Sequence, residues 1–387
     1  MRIACLIATL IVLQQVNAQE TEERPSSFCS MAVYYDQDYT LEQLGLKSLN
    51  EDRNYTMGLG IVLTTPGLKN CFFYAPHRLL NQLFNRRFLN VNHTSGANIT
   101  HSLMIGNGSF TPDSLPASYI IKNDRPYSSL TYLQTITSTV DPEKFRQYIT
   151  TFSVGFIGTS ISREAQIKIH KAMNENDTKD PRTPKGWNNQ VSNGGELTLA
   201  YAVEEVRLLT KKQVCEEKKI SFTGLELKHS WKYSLGYYTN LSYAFNFRLG
   251  KIDPRNWTYR VNVLGSSNEV TKPEESNTSL SVPTISYYEK KKTFELYTFS
   301  SLRPVFILYN ALLNGQFRKS EHTIGFNDMR HMILEFDGGV ATSIPFCKRT
   351  LLEFKLRLSG RSPEFKLANR PPRWHYWGGL DIVFSHY

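Results

Sequence analysis

The chain has 387 residues, of which 12% are aromatic and 21% charged, too aromatic a composition for a disordered polymer. That length holds one large domain or two ordinary ones. The formal net charge of +10 points to an anionic partner. Export of the chain turns the choice from nucleic acid to phosphorylated lipid headgroups, with scattered solvated Lys and Arg as the alternative.

The chain opens on a signal peptide. Arg2 precedes the apolar run Ile3 to Val12, and Val16-Asn17-Ala18 offers a small-residue cleavage site after Ala18. The run is too short to span a bilayer as a helix, which needs about 20 residues. No later apolar stretch reaches that length. Residues 19–387 are therefore expected as a single exported domain. Acids follow at Asp36-Gln37-Asp38 and Glu51-Asp52-Arg53. Such oxygen-rich groups can bind calcium, which takes about six to eight oxygens, or can serve simply as turn and rim carboxylates.

Beyond this point short strands dominate. Strand patterns lie near 58–65, 100–106, 129–138 and 149–157. Leu197, Leu199, Tyr201 and Val203 alternate with Thr198, Ala200, Ala202 and Glu204, the period of a strand with two different faces. Trp231, Tyr233, Leu235 and Tyr237 share one face, as do Tyr243, Phe245 and Phe247. Further strands are expected near 258–264, 294–299, 304–309, 332–337 and 340–346, then at Phe354 to Leu358 and at the C-terminal Trp377 to Tyr387. Asp337-Gly338-Gly339 and Asn314-Gly315 are expected as turns. Roughly ten to twelve spanning strands suit an all-β, antiparallel transmembrane barrel. Its mean hydropathy of −0.37 is compatible with strands that show lipid on one side and water on the other.

Two stretches break the strand pattern. Residues 66–99, with Pro66, Pro76 and Arg86-Arg87, form a long insertion. Residues 158–190 hold a helix near 160–174 and a polar loop. Both are expected as long loops at one end of the barrel. Ser160 or Ser162 can cap the helix, and Glu164 suits its positive N-terminal end. Ala165, Ile169 and Met173 make an apolar packing face, with Gln166 and His170 together on the adjacent face. Histidine titrates near neutrality and can act as a general base. An exposed or structural histidine is the alternative. Outside the signal, Cys29, Cys71, Cys215 and Cys347 allow zero to two disulfides, without metal-type spacing. Sequons such as Asn54-Tyr55-Thr56 and Asn98-Ile99-Thr100 would carry glycans only in a eukaryotic secreted protein.

Several boxes occur in one order between residues 31 and 203. Asp52-Arg53-Asn54-Tyr55-Thr56-Met57-Gly58 resembles the D-R-x-Y-T-x-G box of the outer-membrane lipid A 3′-O-deacylases. Phe110-Thr111-Pro112-Asp113 and Asp124-Arg125-Pro126-Tyr127 resemble the TP and D-R-P-Y-A-G boxes of that family. Val154-Gly155-Phe156-Ile157-Gly158, then Gln166 and His170, resemble its V-G-x-x-G…Q-x-x-x-H stretch. Lys185-Gly186-Trp187-Asn188-Asn189-Gln190 resembles its G-W-D-x-Q box. The distal strands match by pattern alone.

The resemblance implies a twelve-stranded outer-membrane barrel whose site lies between the wall and a loop helix. It implies a calcium-dependent esterase that removes the 3′-linked acyloxyacyl group of lipid A. His170 would be the general base, Gln166 would orient His170 or the water, and Thr56 would line the site. Arg125 and Asp124 are expected at the substrate, Arg125 against lipid A phosphates. The family's Asn-Asp pair is altered here. Without a gap, Asp36 takes the acid position beside Tyr35. Shifted by two, Gln37-Asp38 restores an amide–acid pair, so Asp36, Gln37 and Asp38 are the expected calcium ligands. The G-W box carries Asn188 where Asp is usual, and Ser128 replaces Ala after D-R-P-Y. A monomer in the outer membrane is expected, with lipopolysaccharide and no nucleic acid as partner. The competing readings are a non-catalytic barrel that binds or supports, and a glycosylated, disulfide-linked secreted β protein.

Overall fold

The computed structural model describes residues 29–37, 54–76, 79, 98–122, 124–141, 144–173, 184–211, 221–258, 293–347, 350–366 and 374–386. Period-two patterning becomes twelve antiparallel strands in one closed barrel, in which each strand pairs with its sequence neighbours and the first pairs with the last. The strands are β1 (Cys29–Gln37), β2 (Asn54–Thr64), β3 (Asn98–Thr111), β4 (Ser128–Asp141), β5 (Arg146–Ile157), β6 (Glu196–Leu208), β7 (Ser221–Gly236), β8 (Tyr238–Ile252), β9 (Glu295–Asn310), β10 (Met332–Cys347), β11 (Thr350–Arg361) and β12 (His375–His386). Of the helices of α type, α1 (Ile161–Met173) and the single turn α2 (Ala311–Asn314) lie wholly among the described residues. Cys29 pairs with His386, so both barrel termini lie at one end. Among the described residues no helix is long and apolar enough to cross a membrane. The strands are long enough to do so, since about 9–11 residues suffice.

Antiparallel order corrects the placement of the two long insertions. The β2–β3 connection lies at the end of the barrel that carries the termini. The β5–β6 connection, with α1, lies at the other. Each strand reverses direction, so an insertion after an even strand and one after an odd strand cannot share an end. At the termini end, Tyr74 from the first insertion reaches under the wall and donates its hydroxyl to the carbonyl oxygens of Ser102 and Ile136.

Two pairs of expected strands fuse. The stretches 294–299 and 304–309 are one strand, β9, running through Pro304. Pro304 has no N–H, and pairing with β8 skips from Leu302 to Val305 while pairing with β10 continues through Pro304 and Leu334. Asp337-Gly338-Gly339 is not a turn but the middle of β10. A Cβ on Gly339 would lie 2.0 Å from the Leu356 carbonyl oxygen, so the glycine permits close strand approach. Asn314-Gly315 does end α2, with Gly315 at φ 74°. Of the expected strand at 258–264, Thr258 lies in a turn and the rest lies outside the described residues.

The outer face carries an exposed apolar row: Leu59, Ile61 and Leu63 on β2, Leu197 and Leu199 on β6, Leu302 and Phe306 on β9, Ile382 and Phe384 on β12. These outward rows make the lipid-facing band of a membrane barrel. The alternating inward positions fill the lumen with side chains. Toward β1–β6 the filling is apolar, built on Tyr34, Val62, Met104, Ile136 and Ile149. Toward β7–β12 it is ionic. Arg248 makes two bonds to Glu226, at 3.0 and 2.6 Å, and Lys228 approaches Glu226 at 2.9 Å. Arg357 lies 2.7 Å from Asp36, 2.8 Å from Asp381 and 3.9 Å from Asp337. Cys71 and Cys347 are free thiols, which excludes two disulfides from the four cysteines.

Candidate active site on the outer wall

The outward face of β3 changes character along its length. Ile105 is exposed as lipid-facing residues are, but Asn107 is half-buried and Ser109 and Thr111 are buried. Ser129 and Thr131 continue this polar patch on β4. Thr131 pairs across from Asn107 and accepts its amide N–H at 2.9 Å. Thr56 enters from β2, where the register shifts between Tyr55 and Met57 and leaves Thr56 as the extra residue of a bulge. The Thr56 hydroxyl donates to the Ser109 carbonyl oxygen at 3.4 Å.

The helix α1 covers this patch. It begins where the Glu164 N–H bonds the Ser160 carbonyl. The Ser162 hydroxyl donates to Asn107 Oδ1 at 3.1 Å and so does not cap the helix. Ser162 and Gln166 are the buried positions, whereas Ala165, Ile167 and Ile169 are only half-buried. The buried face is thus the polar line Ser162–Gln166, not the apolar line Ala165–Ile169–Met173 expected from periodicity. The wall offers hydrogen-bonding groups there instead of an apolar surface. His170 is the next residue on the polar line, one turn beyond Gln166; its side chain lies outside the described structure.

Gln166 is held by its oxygen. Trp187 Nε1–H donates to Gln166 Oε1 at 2.8 Å, which leaves Gln166 Nε2 without a partner among the described residues. Both side chains are buried, Trp187 at 1% and Gln166 at 4% exposure. Trp187 is set in turn by Tyr127, whose ring centroid is 4.8 Å away. Gly186 makes the approach possible, because a Cβ there would meet the Tyr127 ring at 2.4 Å and the Ala117 carbonyl oxygen at 2.9 Å.

The Asp124–Tyr127 box is therefore a keystone of the loops. Asp124 accepts the Asp113 and Arg125 backbone N–H groups at 2.9 and 2.8 Å, closing the loop between them. Arg125 points into the mouth of the lumen, where it pairs with Glu364 and lies 4.2 Å over the Phe110 ring. At 1% exposure it is not set to meet a lipid phosphate. Burial lowers the Arg125 pKa, opposed by Glu364. Burial alone would raise Glu364, but Arg125 and Arg361 hold it at about 2.

Of the expected calcium ligands, Asp36 and Gln37 point to opposite sides of β1. Asp36 is buried in the lumen on Arg357. Gln37 lies on the outward side with Tyr35, whose hydroxyl donates to its amide oxygen, and pairs with Met57 beside the Thr56 bulge. Asp38 lies outside the described residues. No group of three or more His, Cys, Asp or Glu that could hold a metal occurs among the described residues. The oxygens described near the patch are neutral, and Asp36 is committed to an arginine. They do not make a calcium cage by themselves, since calcium prefers carboxylates in its shell.

Comparisons with known proteins bear on the family and the fold. The family model described as Outer membrane protein LpxR matches residues 3–386. The chain belongs to the LpxR family. Among solved structures, LpxR from Salmonella typhimurium superposes with a TM-score of 0.60 at 15% identity, over 92% of this chain and 99% of that one. This likeness bears on the fold alone, the closed twelve-stranded barrel of this chain. The β domain of the Bordetella autotransporter BrkA reaches a TM-score of only 0.38 at 8% identity, over 94% of this chain and 99% of that one. No curated protein matches the sequence.

Residue types alone concealed the Trp187–Gln166 bond and the participation of Asn107 and Ser162. One signal for them was present, the switch from Leu103 and Ile105 to Asn107, Ser109 and Thr111 along one face of a single strand.

Proposed function

We propose that this LpxR-family protein is a carboxylic ester hydrolase of the outer membrane that removes the 3′-linked acyloxyacyl chain of lipid A. The observation that carries this reading is the buried polar seam between α1 and the outer wall, in which Gln166 keeps a free amide N–H. A lipid-facing wall has no need of such a seam, and an unmet buried donor costs stability unless a ligand or water uses it. The seam also lies where an acyl chain in the outer leaflet would run.

In this reading His170 takes a proton from water as the water attacks the ester carbonyl carbon. The carbonyl oxygen becomes an oxyanion and receives the Gln166 amide N–H. The acyl carbon–oxygen bond then breaks, the imidazolium returns its proton to the departing sugar oxygen, and the fatty acid leaves and releases its remaining proton to solvent. Thr56 lines the seam. Calcium belongs to the proposal through Gln37 and Asp38, and no step is assigned to it.

Mass spectrometry of lipid A incubated with the detergent-solubilised protein, with calcium and with chelator, tests the proposal. Loss of the 3′ acyloxyacyl group in the calcium arm alone supports both the esterase and the metal. Equal loss in both arms supports the esterase and removes calcium. An unchanged spectrum from folded protein overturns the esterase. That outcome favours the second reading, a non-catalytic barrel, to which the Asp36–Arg357 ion pair lends weight by removing one carboxylate from any metal site.

A further inference from the structure

Trp187 also lines a groove of about 350 Å³ between α1 and the 184–188 segment. Its floor is Ile167, Pro184 and Trp187, and its rim carries Arg163, Lys168 and Lys185 against a single acid, Glu164. Lys168 and Lys185 are exposed and make no salt bridge among the described residues. Arg163 is steadied at the lip by a 3.2 Å bond to Asn188 Oδ1. The volume is that of a small-molecule site and not of a lone ion. Three cations around an apolar, partly aromatic floor match a sugar ring that carries a phosphate.

We propose that this groove binds the phosphorylated sugar headgroup of the substrate lipid, with Lys168 and Lys185 as its phosphate contacts. The proposal rests on the esterase reading for the identity of the lipid. It replaces Arg125, buried in the lumen mouth, with cations that face solvent. Trp187 lines the groove and also fixes Gln166, so a headgroup seated there lies one side chain away from the seam. A headgroup beside α1 leaves its acyl chains free to pass along the outer wall.

Binding of lipid A, of the same glycolipid stripped of phosphate, and of inorganic phosphate as competitor would be measured on the full-length protein in detergent at low salt. The Lys168→Ala/Lys185→Ala double variant is compared with wild type, with folding confirmed by heat-modifiable electrophoretic mobility. The expected loss for lipid A is roughly 30-fold, from about a factor of five per surface cation, with no change for the stripped lipid. Unchanged lipid A binding in the double variant, or equal wild-type affinity for both lipids, overturns the groove. Displacement by inorganic phosphate at concentrations as low as the lipid's assigns the cations to free phosphate and overturns the headgroup assignment. Binding needs no turnover: phosphate-dependent binding without acyl release keeps the groove and sinks the esterase. Acyl release from a lipid bound without regard to phosphate does the reverse.

Discussion

The lumen and the outer-wall seam both bury polar groups, but in opposite ways. In the lumen the groups are charged and set in ion pairs, although Asp337 Oδ2 and Asp381 Oδ2 keep no partner of their own among the described residues. Arg357 faces Asp36 and Asp381, Arg248 faces Glu226, and Arg361 lies 2.7 Å from Glu335. In the seam the groups are neutral, and Gln166 Nε2 and Thr111 Oγ1 are left without partners among the described residues. An ionic lattice of this kind ties distant strands together and offers a neutral ligand little. A neutral seam with a fixed, unmet N–H is built to receive one. The difference is one of charge and place: ion pairs hold the barrel from inside, and neutral groups lie under α1 on the outer wall.

Substitution at His170 should break this comparison most sharply. His170→Ala is expected to lower acyl release by a factor of about 10²–10⁴ while thermal unfolding of the barrel stays unchanged. A parallel loss of stability would place His170 in the scaffold instead. Next comes Arg357→Met, which leaves Asp36, Asp381 and Asp337 buried without their cation. It should cost about 3–5 kcal/mol, read from urea unfolding in detergent micelles, and any activity that remains in folded protein should have an ordinary KM.

Trp187→Phe sharpens the seam itself. It keeps a ring against Tyr127 and removes the N–H that holds Gln166. Free rotation of the amide should lower kcat by about tenfold, less than the roughly 10²–10³ expected for loss of an oxyanion donor, with KM nearly unchanged. A rise in KM with constant kcat would instead make Trp187 part of the binding floor alone.

The smallest effect at neutral pH belongs to the lumen mouth. Glu364 is held at about 2, below its ordinary 4.5. Its contribution to stability is present above that ordinary value and is lost as pH falls through about 2. The stability gap between wild type and Glu364→Gln should therefore be constant from pH 7 to about 5 and close between about 4.5 and 2. A gap that persists at pH 2 would assign it to packing.

Much of the architecture was legible from residue order. Alternation at Leu197 to Glu204 and again at Tyr243 to Phe247 required strands with one apolar and one polar side, and enough of these recur to close a barrel. The ordered boxes pointed to Gln166 and His170 on α1 and did not single out Trp187. Periodicity failed where a local rule met a distant partner. Gly338-Gly339 is written like a turn, yet β10 uses it to admit β11. The apolar stripe of α1 reads as a packing face, yet hydrogen bonds to Asn107 and Trp187 rotate the helix toward its polar line.

What the sequence by itself determined is therefore the barrel, its membrane-facing alternation and the order of the boxes, because each follows from spacing along a few consecutive residues. What only the tertiary structure decided is which side of the wall each polar residue serves. Asp36 and Gln37 are neighbours in sequence and lie on opposite faces of β1 because side chains alternate along a strand. Asp36 meets its arginine 321 residues later, a partnership that exists only once the first strand has closed on the last.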